Sequence, residues 1–337
     1  MNVDLKIITR LLAKRISKVI GTLINDSQKC IPGRQIFNNI QLLQDLIDYI
    51  NAKGDTGAAL LFLDQEKAFD RMSHTFILKT LQHFGFREEI IDWINIIYKD
   101  CNARVKINGH LTPAFSIQRG VRQGCPLSSL LYVLCIEVLC LEIKTNTNIK
   151  GLEYMSKQHK DLSYADDLSI LTTSIESIDP IFNILDKFQK ATNAKINIEK
   201  TEALWIGTWK ENTITPMGLK WTNTMVKGLG VFVGNNRKEA ENQSYAESTE
   251  KIRNKVKYWK GKGISLKGRV RVCNIFILSK LWYILKVKDI PKDILSEVNH
   301  MIADFIWEGK YHQRSLIGLE MNYEKGGLRL LSIEKRL

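Results

Sequence analysis

Two acidic motifs, each attached to an apolar stretch, constrain this chain more than any other feature. The run 58–63 contains only apolar residues and ends at Asp64. Further along, the segment 161–172 is apolar on both sides of the pair Asp166-Asp167. A short continuous apolar run is typical of a fully buried strand. The second pattern predicts a hairpin with two carboxylates at its tip.

Carboxylates in these positions need a counter-charge. A charge at the edge of a buried sheet is costly unless it is paired, and clustered carboxylates resist ionising together. Oxygen ligands favour Mg²⁺, with Mn²⁺ as the alternative, and two ions about 3.5–4 Å apart form the clamp of in-line phosphoryl transfer. We expect Asp64 and Asp166 to be shared ligands, Asp167 a secondary one, and Gln65 a ligand through its backbone carbonyl. Taken alone, each motif is more often a solvated turn.

The net charge favours a polyanionic partner. The chain has 49 Lys and Arg against 36 Asp and Glu, a formal net charge of +13. Nucleic acid and an acidic membrane surface are the first partners to consider. Read alone, the basic run 251–271 is also compatible with a nuclear-localisation or membrane-surface segment. It contains no acid, and its nine basic residues are Lys251, Arg253, Lys255, Lys257, Lys260, Lys262, Lys267, Arg269 and Arg271.

Membrane-spanning and secreted classes are disfavoured. No apolar run approaches the ~18 residues that a membrane span needs. Basic residues such as Lys6 and Arg10 interrupt the N-terminal segment where a signal peptide would be apolar. The six cysteines form no Cys-x-x-Cys pair, so we expect reduced thiols and no disulfide-linked partner. The sequence therefore predicts an intracellular protein that does not enter a membrane.

Three motifs in order make the chain recognisable. LDQEKAFD at 63–70, RQGCPLS at 122–128 and YADD at 164–167 are similar to motifs A, B and C of reverse transcriptases. Over nearly its whole length the chain resembles the reverse transcriptases of LINE-type non-LTR retrotransposons. Four other segments support the resemblance: 29–37 (the IPGR segment of the fingers), 194–202 (motif D), 228–231 (the primer-grip hairpin) and 265–337 (the helical thumb and the segment after it).

The resemblance implies an α+β fold with the right-hand architecture of polymerases. We expect partial fingers at 1–57, an antiparallel-sheet palm at 58–234 and a linker with a helical thumb at 235–337. Residues at about 74–118 are an insertion on the fingers side, and the polar stretch 235–250 is the expected linker. Family members carry an Arg-Pro-Ile-Ser-Leu-Leu stretch before the segment that matches the start of this chain. The fingers are therefore expected to be incomplete.

The activity implied by the resemblance is RNA-directed DNA polymerisation. The enzyme would extend a DNA primer on an RNA template with dNTPs, in the nucleus or between nucleus and cytoplasm. The alternative is a catalytically inactive nucleic-acid-binding remnant. The intact Asp64, Asp166 and Asp167 favour the enzyme, whereas incomplete fingers favour the remnant. A metal nuclease is disfavoured because no nuclease motif is recognisable.

Individual roles also follow from the resemblance. Phe69 would leave no room for a 2′-hydroxyl and so select dNTPs, although it is also compatible with a core residue. Lys200 would protonate the departing pyrophosphate, with a solvated loop lysine as the alternative. Gln123 and Gly124 would line the nascent base pair.

Three further contacts are less specific. Arg122 is expected at the template or the triphosphate, and Arg119 is a rival for that position. Arg34 is expected at the same ligands, with a plain surface arginine as the alternative. Gly230 belongs to the segment that resembles the primer-grip hairpin, and the nine basic residues of 251–271 would bind the phosphates of a template–primer duplex.

Overall fold

The computed structural model describes residues 3–309 and 315–336, and these form two compact units that meet in sequence at Leu229 and Gly230. The helices of the first unit are α1 (Val3–Leu23), α2 (Ile36–Lys53), α3 (Ala68–Arg71), α4 (His74–His83), α5 (Glu88–Tyr98), α6 (Ser128–Thr145) and α7 (Ile178–Thr192). Its strands are β1 (Gly57–Leu63), β2 (Asn102–Ala103), β3 (Lys106–Ile107), β4 (His110–Leu111), β5 (Phe115–Ser116), β6 (Leu152–Tyr154), β7 (Lys157–His159), β8 (Asp161–Tyr164), β9 (Asp167–Thr172), β10 (Glu202–Gly207), β11 (Lys220–Thr222) and β12 (Met225–Gly228).

Five strands of the first unit form one sheet in the order β11-β10-β1-β9-β8. The central strand β1 runs antiparallel to both β10 and β9, and β8 is antiparallel to β9. Every residue of β1 except Phe62 is buried. This burial confirms the central strand that the apolar run predicts, because such a strand is covered on both faces.

The core of the first unit centres on α6. This helix is apolar around almost its whole circumference and contacts α1, α4, α7 and β8. A helix that is apolar on all sides is stable in water only when other elements of the protein pack around it. Its buried carboxylate, Glu137, accepts a hydrogen bond from the backbone N–H of Asn25 at 3.0 Å, and burial raises the pKa of this carboxyl. The helix therefore places motif B next to the sheet that carries the acidic motifs.

An aromatic cluster covers the β10–β11 edge of the sheet. Trp205 of β10 is fully buried and stacks on Trp221 of β11, with ring centroids 3.9 Å apart and planes at 17°. Trp209 meets Trp205 edge-on at 5.8 Å. These contacts support the parallel pairing that joins β10 to β11 in an otherwise antiparallel arrangement.

The second unit contains β13 (Val231–Gly234), α8 (Arg237–Trp259), α9 (Leu266–Val272), α10 (Lys292–Trp307) and α11 (Leu316–Glu320). A π-helical turn at Cys273–Ile277 follows α9. Helix α8 packs against β13 and α10. The hydroxyl of Tyr245 donates to the carbonyl of Lys288 at 2.7 Å, and Nζ of Lys288 donates to the carbonyl of Phe232 at 2.9 Å. Within the expected thumb, 310–314 and 337 lie outside the described residues.

The linker expected at 235–250 is wrong, because most of it is the first half of α8. Asn236 caps the helix, accepting from the N–H of Glu239 at 3.3 Å while its amide donates to the Glu239 carboxylate at 2.7 Å. A cap in which the two residues bind each other in this way can start a helix even when the helix itself is polar. Ala240, Ser244 and Ser248 then form a buried face of small residues.

Other expectations agree with the structure. The hairpin predicted at 161–172, with carboxylates at its tip, is confirmed by the antiparallel pairing of β8 with β9. All six cysteines are free thiols. No described helix combines the length and apolar character that crossing a lipid bilayer requires.

Gly120, just before motif B, cannot accept a side chain. Its φ is +88°, and a Cβ there would lie 2.6 Å from the carbonyl oxygen of Asp70. We expect Gly120→Ala to lower the free energy of unfolding by more than about 2 kcal/mol, since backbone strain and a backbone clash add. Gly54→Ala is the control, because Gly54 has φ +73° but nothing within 4 Å of a Cβ. Equal losses of unfolding free energy in the two variants, measured by urea denaturation, would contradict the clash.

Candidate active site

The predicted carboxylates come together at one end of the sheet. Asp64 follows the last residue of β1, and Leu63 of β1 lies opposite Leu168 of β9. Asp167 is the first residue of β9, and Asp166 lies at the tip of the β8–β9 hairpin. The antiparallel pairing of β1 with β9 therefore brings Asp64 beside the hairpin tip.

The charges of these carboxylates act on one another. The pKa of Asp167 is raised, first by desolvation and then by the negative charges of Asp166 and Asp64. Within residues 3–309 and 315–336, no Lys, Arg or His side chain forms an ion pair with any of the three. The site therefore has an excess of negative charge.

The chemistry of these donors fits a hard divalent cation. All three side chains offer carboxylate oxygen, the donor that Mg²⁺ prefers. In the part of the chain that the structure describes, no three His, Cys, Asp or Glu side chains, these aspartates included, are grouped so that they could hold a metal ion by themselves. Mg²⁺ commonly binds one or two carboxylates and takes its other ligands from water and substrate phosphates, so the aspartates fit it as a partial ligand set.

Two buried glutamines hold the hairpin tip. Oε1 of Gln28, on the segment after α1, accepts from the backbone N–H of Ala165 at 3.0 Å. On the other side, Nε2 of Gln65 donates to the backbone carbonyl of Asp166 at 3.3 Å. Ala165 has φ +55°, a strained conformation for a residue other than glycine. These contacts maintain a turn that the local sequence alone would not favour.

Phe69 lies next to the site on α3. Its ring is half-buried and stacks on Tyr132 of α6 at 4.3 Å between centroids. Its carbonyl accepts from the N–H of Val121 at 2.7 Å. Phe69 is thus held by residues on either side of motif B, Val121 and Tyr132, although motif A and motif B are separate elements in the sequence.

Lys200 shares a cleft with the carboxylates. The motif D loop pairs with the segment after β1, since the N–H of Asn197 donates to the carbonyl of Asp64 at 2.8 Å. The cleft has a volume of about 120 Å³, and Asp64, Asp167, Lys200 and Lys227 are among its lining residues. Lys200 is exposed. Sequence reasoning missed Lys227, although it directly precedes the glycine where the primer-grip resemblance begins.

The motif B loop lies at a different cleft. Nη2 of Arg122 donates to the carbonyl of Ile97 at the end of α5, at 3.0 Å. Arg122 and Gln123 line a cleft of about 270 Å³ with His74. Gly124 is exposed, with φ +75° and open space around a Cβ. The structure therefore brings Gln123 and Gly124 to the surface, while the Arg122 guanidinium is held by α5.

Arg34 is engaged by the protein itself. Its guanidinium donates to the carbonyls of Gly21 and Ile24 at the end of α1, at 3.2 and 3.0 Å, and to those of Asn25 and Gln28. Its side chain is 18 % exposed. The carbonyls at a helix C-terminus have no partners within the helix, and a guanidinium satisfies them well. This arrangement favours a structural role over a ligand contact.

The nine basic residues of 251–271 fall into two groups. Three have acidic partners: Lys251 with Glu247, Arg253 with Glu250 and Glu297, and Arg269 with Glu308. The other six are exposed and form no ion pair with a described residue: Lys255, Lys257, Lys260, Lys262, Lys267 and Arg271. Gly230, also in the second unit, has φ +82°, and a Cβ there would lie 3.3 Å from the ring of Tyr283.

Comparison with known families decides the classification. The model of the family described as "Reverse transcriptase (RNA-dependent DNA polymerase)" matches residues 1–233, which include both acidic motifs and all of the sheet.

The chain belongs to the reverse transcriptase family.

Relatives within this reverse transcriptase family are retrotransposon proteins. The chain is 32 % identical over 317 residues to the transposon TX1 uncharacterized 149 kDa protein of Xenopus laevis, covering 92 % of this chain and 24 % of that protein. It is 31 % identical over 133 residues to the Pol polyprotein of the R2 element of Popillia japonica, covering 40 % of this chain and 22 % of that protein. The chain thus spans about a quarter of these relatives. The resemblance to non-LTR retrotransposon reverse transcriptases is confirmed.

Two solved telomerase structures share the fold. Apo telomerase from Candida tropicalis matches with a TM-score of 0.53 at 13 % identity, over 90 % of this chain and 50 % of that one. Its complex with a TWJ fragment of telomeric RNA matches with a TM-score of 0.51 at 12 % identity, over 96 % and 52 %. The α+β right-hand polymerase class is therefore confirmed.

Proposed function

We propose that this chain catalyses RNA-directed DNA synthesis, extending a DNA 3′ end on an RNA template within a non-LTR retrotransposon protein. The observation that carries the proposal is the convergence of Asp64, Asp166 and Asp167 at one end of a buried sheet, where none of the three forms an ion pair with a described basic side chain. Carboxylates without a counter-ion are what a two-metal phosphoryl transfer site requires.

Each side chain has a role in this reaction. Asp64 and Asp166 would hold two Mg²⁺ ions, with Asp167 and the Gln65 carbonyl as further ligands. When bound, these ions lower the pKa of the primer 3′-hydroxyl and stabilise the charge of the leaving pyrophosphate. Lys200, in the same cleft, would donate a proton to that pyrophosphate.

Two features concern substrate choice and template. The Phe69 ring, fixed by its stack on Tyr132, would exclude a 2′-hydroxyl and so select dNTPs. The exposed Gln123 and Gly124 would contact the nascent base pair. Arg34 and Arg122 are proposed instead as structural arginines, because backbone carbonyls already occupy their guanidinium groups.

The proposed duplex contact of the second unit can be measured by its salt dependence. Replacing exposed Lys257 and Lys260 by glutamine should reduce the slope of log K against log salt by about 1.4–1.8, because each lost phosphate contact removes about 0.7–0.9. The measurement is fluorescence anisotropy with an RNA–DNA duplex at several salt concentrations.

Lys251→Gln/Arg253→Gln is the matched control. It changes the net charge by the same amount, yet both side chains already have glutamate partners. Its slope of log K against log salt should change by less than half as much as that of the Lys257→Gln/Lys260→Gln variant. Equal changes of slope in the two double variants would indicate that binding responds only to the overall charge. They would contradict a local contact by Lys257 and Lys260.

Incorporation of dNTPs on a primed RNA tests the activity. The protein should extend the primer with Mg²⁺ and lose this activity with EDTA. The alternative, a nucleic-acid-binding remnant, predicts salt-sensitive duplex binding without product. Well-folded protein that binds the duplex but extends no primer with Mg²⁺ or Mn²⁺ would establish the remnant.

A further inference from the structure

Tyr132 on α6 contacts both sides of the carboxylate site. Its ring stacks on Phe69, with centroids 4.3 Å apart and planes at 23°. Its hydroxyl hydrogen-bonds to Oε1 of Gln65 at 2.8 Å, and Nε2 of Gln65 donates to the backbone carbonyl of Asp166 at 3.3 Å. Tyr132 is fully buried and Gln65 is 9 % exposed. One tyrosine therefore contacts Phe69 through its ring and is linked to the Asp166 turn, by way of Gln65, through its hydroxyl.

The direction of this hydrogen-bond chain is fixed. A backbone carbonyl only accepts, so the amino end of the Gln65 carboxamide must face Asp166. The carbonyl end of Gln65 then faces Tyr132, whose hydroxyl must donate. Only one orientation of the carboxamide satisfies both partners.

The turn at Ala165 and Asp166 depends on hydrogen bonds from outside the hairpin. Ala165, the neighbour of Asp166, has φ +55°, and only the side chains of Gln28 and Gln65 bind the two tip residues from outside the hairpin among the contacts described. Loss of the Tyr132 hydroxyl would leave Oε1 of Gln65 buried without a donor. The carboxamide would then rotate or shift, and its bond to Asp166 would weaken.

We propose that Tyr132 is a positioning residue: through Gln65 it holds the Asp166 turn for a divalent cation, and through its ring it holds Phe69 against the sugar of the incoming nucleotide. The proposal rests on the proposed function, because it concerns the same site. A purely structural core residue would need only the ring, since phenylalanine fills the same volume. The hydroxyl and the ring consequently have separable effects.

The experiment separates the two contacts. Mn²⁺ binding to the protein alone is measured by the loss of the free-ion signal in electron paramagnetic resonance, without nucleotide or nucleic acid. Tyr132→Phe should weaken Mn²⁺ binding about 10-fold, as losses of outer hydrogen-bond partners commonly do, and leave the dNTP to rNTP preference unchanged. Tyr132→Leu should weaken binding similarly and also raise rNTP use, because Phe69 loses its stacking partner.

A double variant distinguishes a role of the Tyr132 hydroxyl in positioning the Asp166 turn from a role in protein stability alone. Tyr132→Phe alone should lower Tm, whereas Tyr132→Phe/Gln65→Leu should recover part of that loss, because no buried carboxamide is then left without a donor, although the Asp166 carbonyl loses its partner. Mn²⁺ binding should stay weak in the double variant. Recovery of Mn²⁺ affinity together with Tm would assign the hydroxyl a structural role and overturn the proposal.

Tyr245→Phe is the matched control in the second unit, since its buried hydroxyl also donates a hydrogen bond, to Lys288 at 2.7 Å. It should lower Tm without changing Mn²⁺ binding. Wild-type protein that binds no Mn²⁺, or unchanged binding in Tyr132→Phe, would overturn the inference. Wild-type protein that binds Mn²⁺ but extends no primer would refute the proposed polymerase while the Mn²⁺ comparison still tests the role of Tyr132.

Discussion

Replacing Asp166 by asparagine is expected to reduce dNTP incorporation by about 10³-fold or more, because the substitution removes a charge that the proposed metal ions require. The carboxamide keeps the size of the side chain, and the Gln65 bond to the backbone carbonyl is retained. Folding should survive, since one member of a repelling group is neutralised and the pKa of Asp167 falls toward its usual value. Primer extension on RNA and thermal unfolding measure the two effects.

A distant aspartate provides the control for Asp166→Asn. Asp186 on α7 is about half exposed and pairs with Lys190. Asp186→Asn removes the same charge from the same unit and should leave extension within about 2-fold, as expected for an exposed pair. Extension by Asp166→Asn at a rate near that of the wild type would exclude this carboxylate as a metal ligand.

Replacing Phe69 by alanine is expected to raise rNTP incorporation relative to dNTP by roughly 100-fold, the scale on which a pocket discriminates by shape. The ring stacks on Tyr132, and it would block the 2′ position of the sugar of the incoming nucleotide. Without it, a 2′-hydroxyl has room, whereas the carboxylates and Lys200 are unchanged. Single-nucleotide extension with each nucleotide type gives the ratio of kcat/KM values.

Phe76→Ala separates sugar selection from loss of core packing. Phe76 is also half-buried and also meets another ring, that of Phe188, at 5.7 Å. Phe76→Ala should lower the free energy of unfolding and leave the preference for dNTPs over rNTPs unchanged. An unchanged preference in Phe69→Ala would leave Phe69 as an ordinary core residue.

The carboxylate site could be predicted because its signals are local. A run of apolar residues specifies a buried strand, and an acid at its end specifies where a charge emerges. The spacing of Asp64 and Asp166 does not specify that β1 and β9 are neighbours; the order of three family motifs supplied that. The helix at 237–259 also had a local signal, the cap formed by Asn236 and Glu239, but its polar composition made it resemble a linker.

Other contacts had no local signal. Arg34 and Arg122 bind carbonyls at the C-terminal ends of α1 and α5. Every helix has such carbonyls, so no residue type marks them in a sequence. Gln28 and Gln65 are likewise ordinary polar residues in the sequence, and only the fold brings them to the hairpin tip from opposite sides.

The stacked indoles of Trp205 and Trp221 give the sheet an optical signature. Indole rings with centroids 3.9 Å apart are close enough for their transition dipoles to couple, so this pair should contribute a circular-dichroism couplet that isolated tryptophans lack. This contribution would disappear when β11 separates from β10, and Trp221→Phe would remove it in the folded protein while the Trp205–Trp209 pair remains. Opening of this edge of the sheet can thus be followed by spectroscopy, separately from the tryptophans of the second unit.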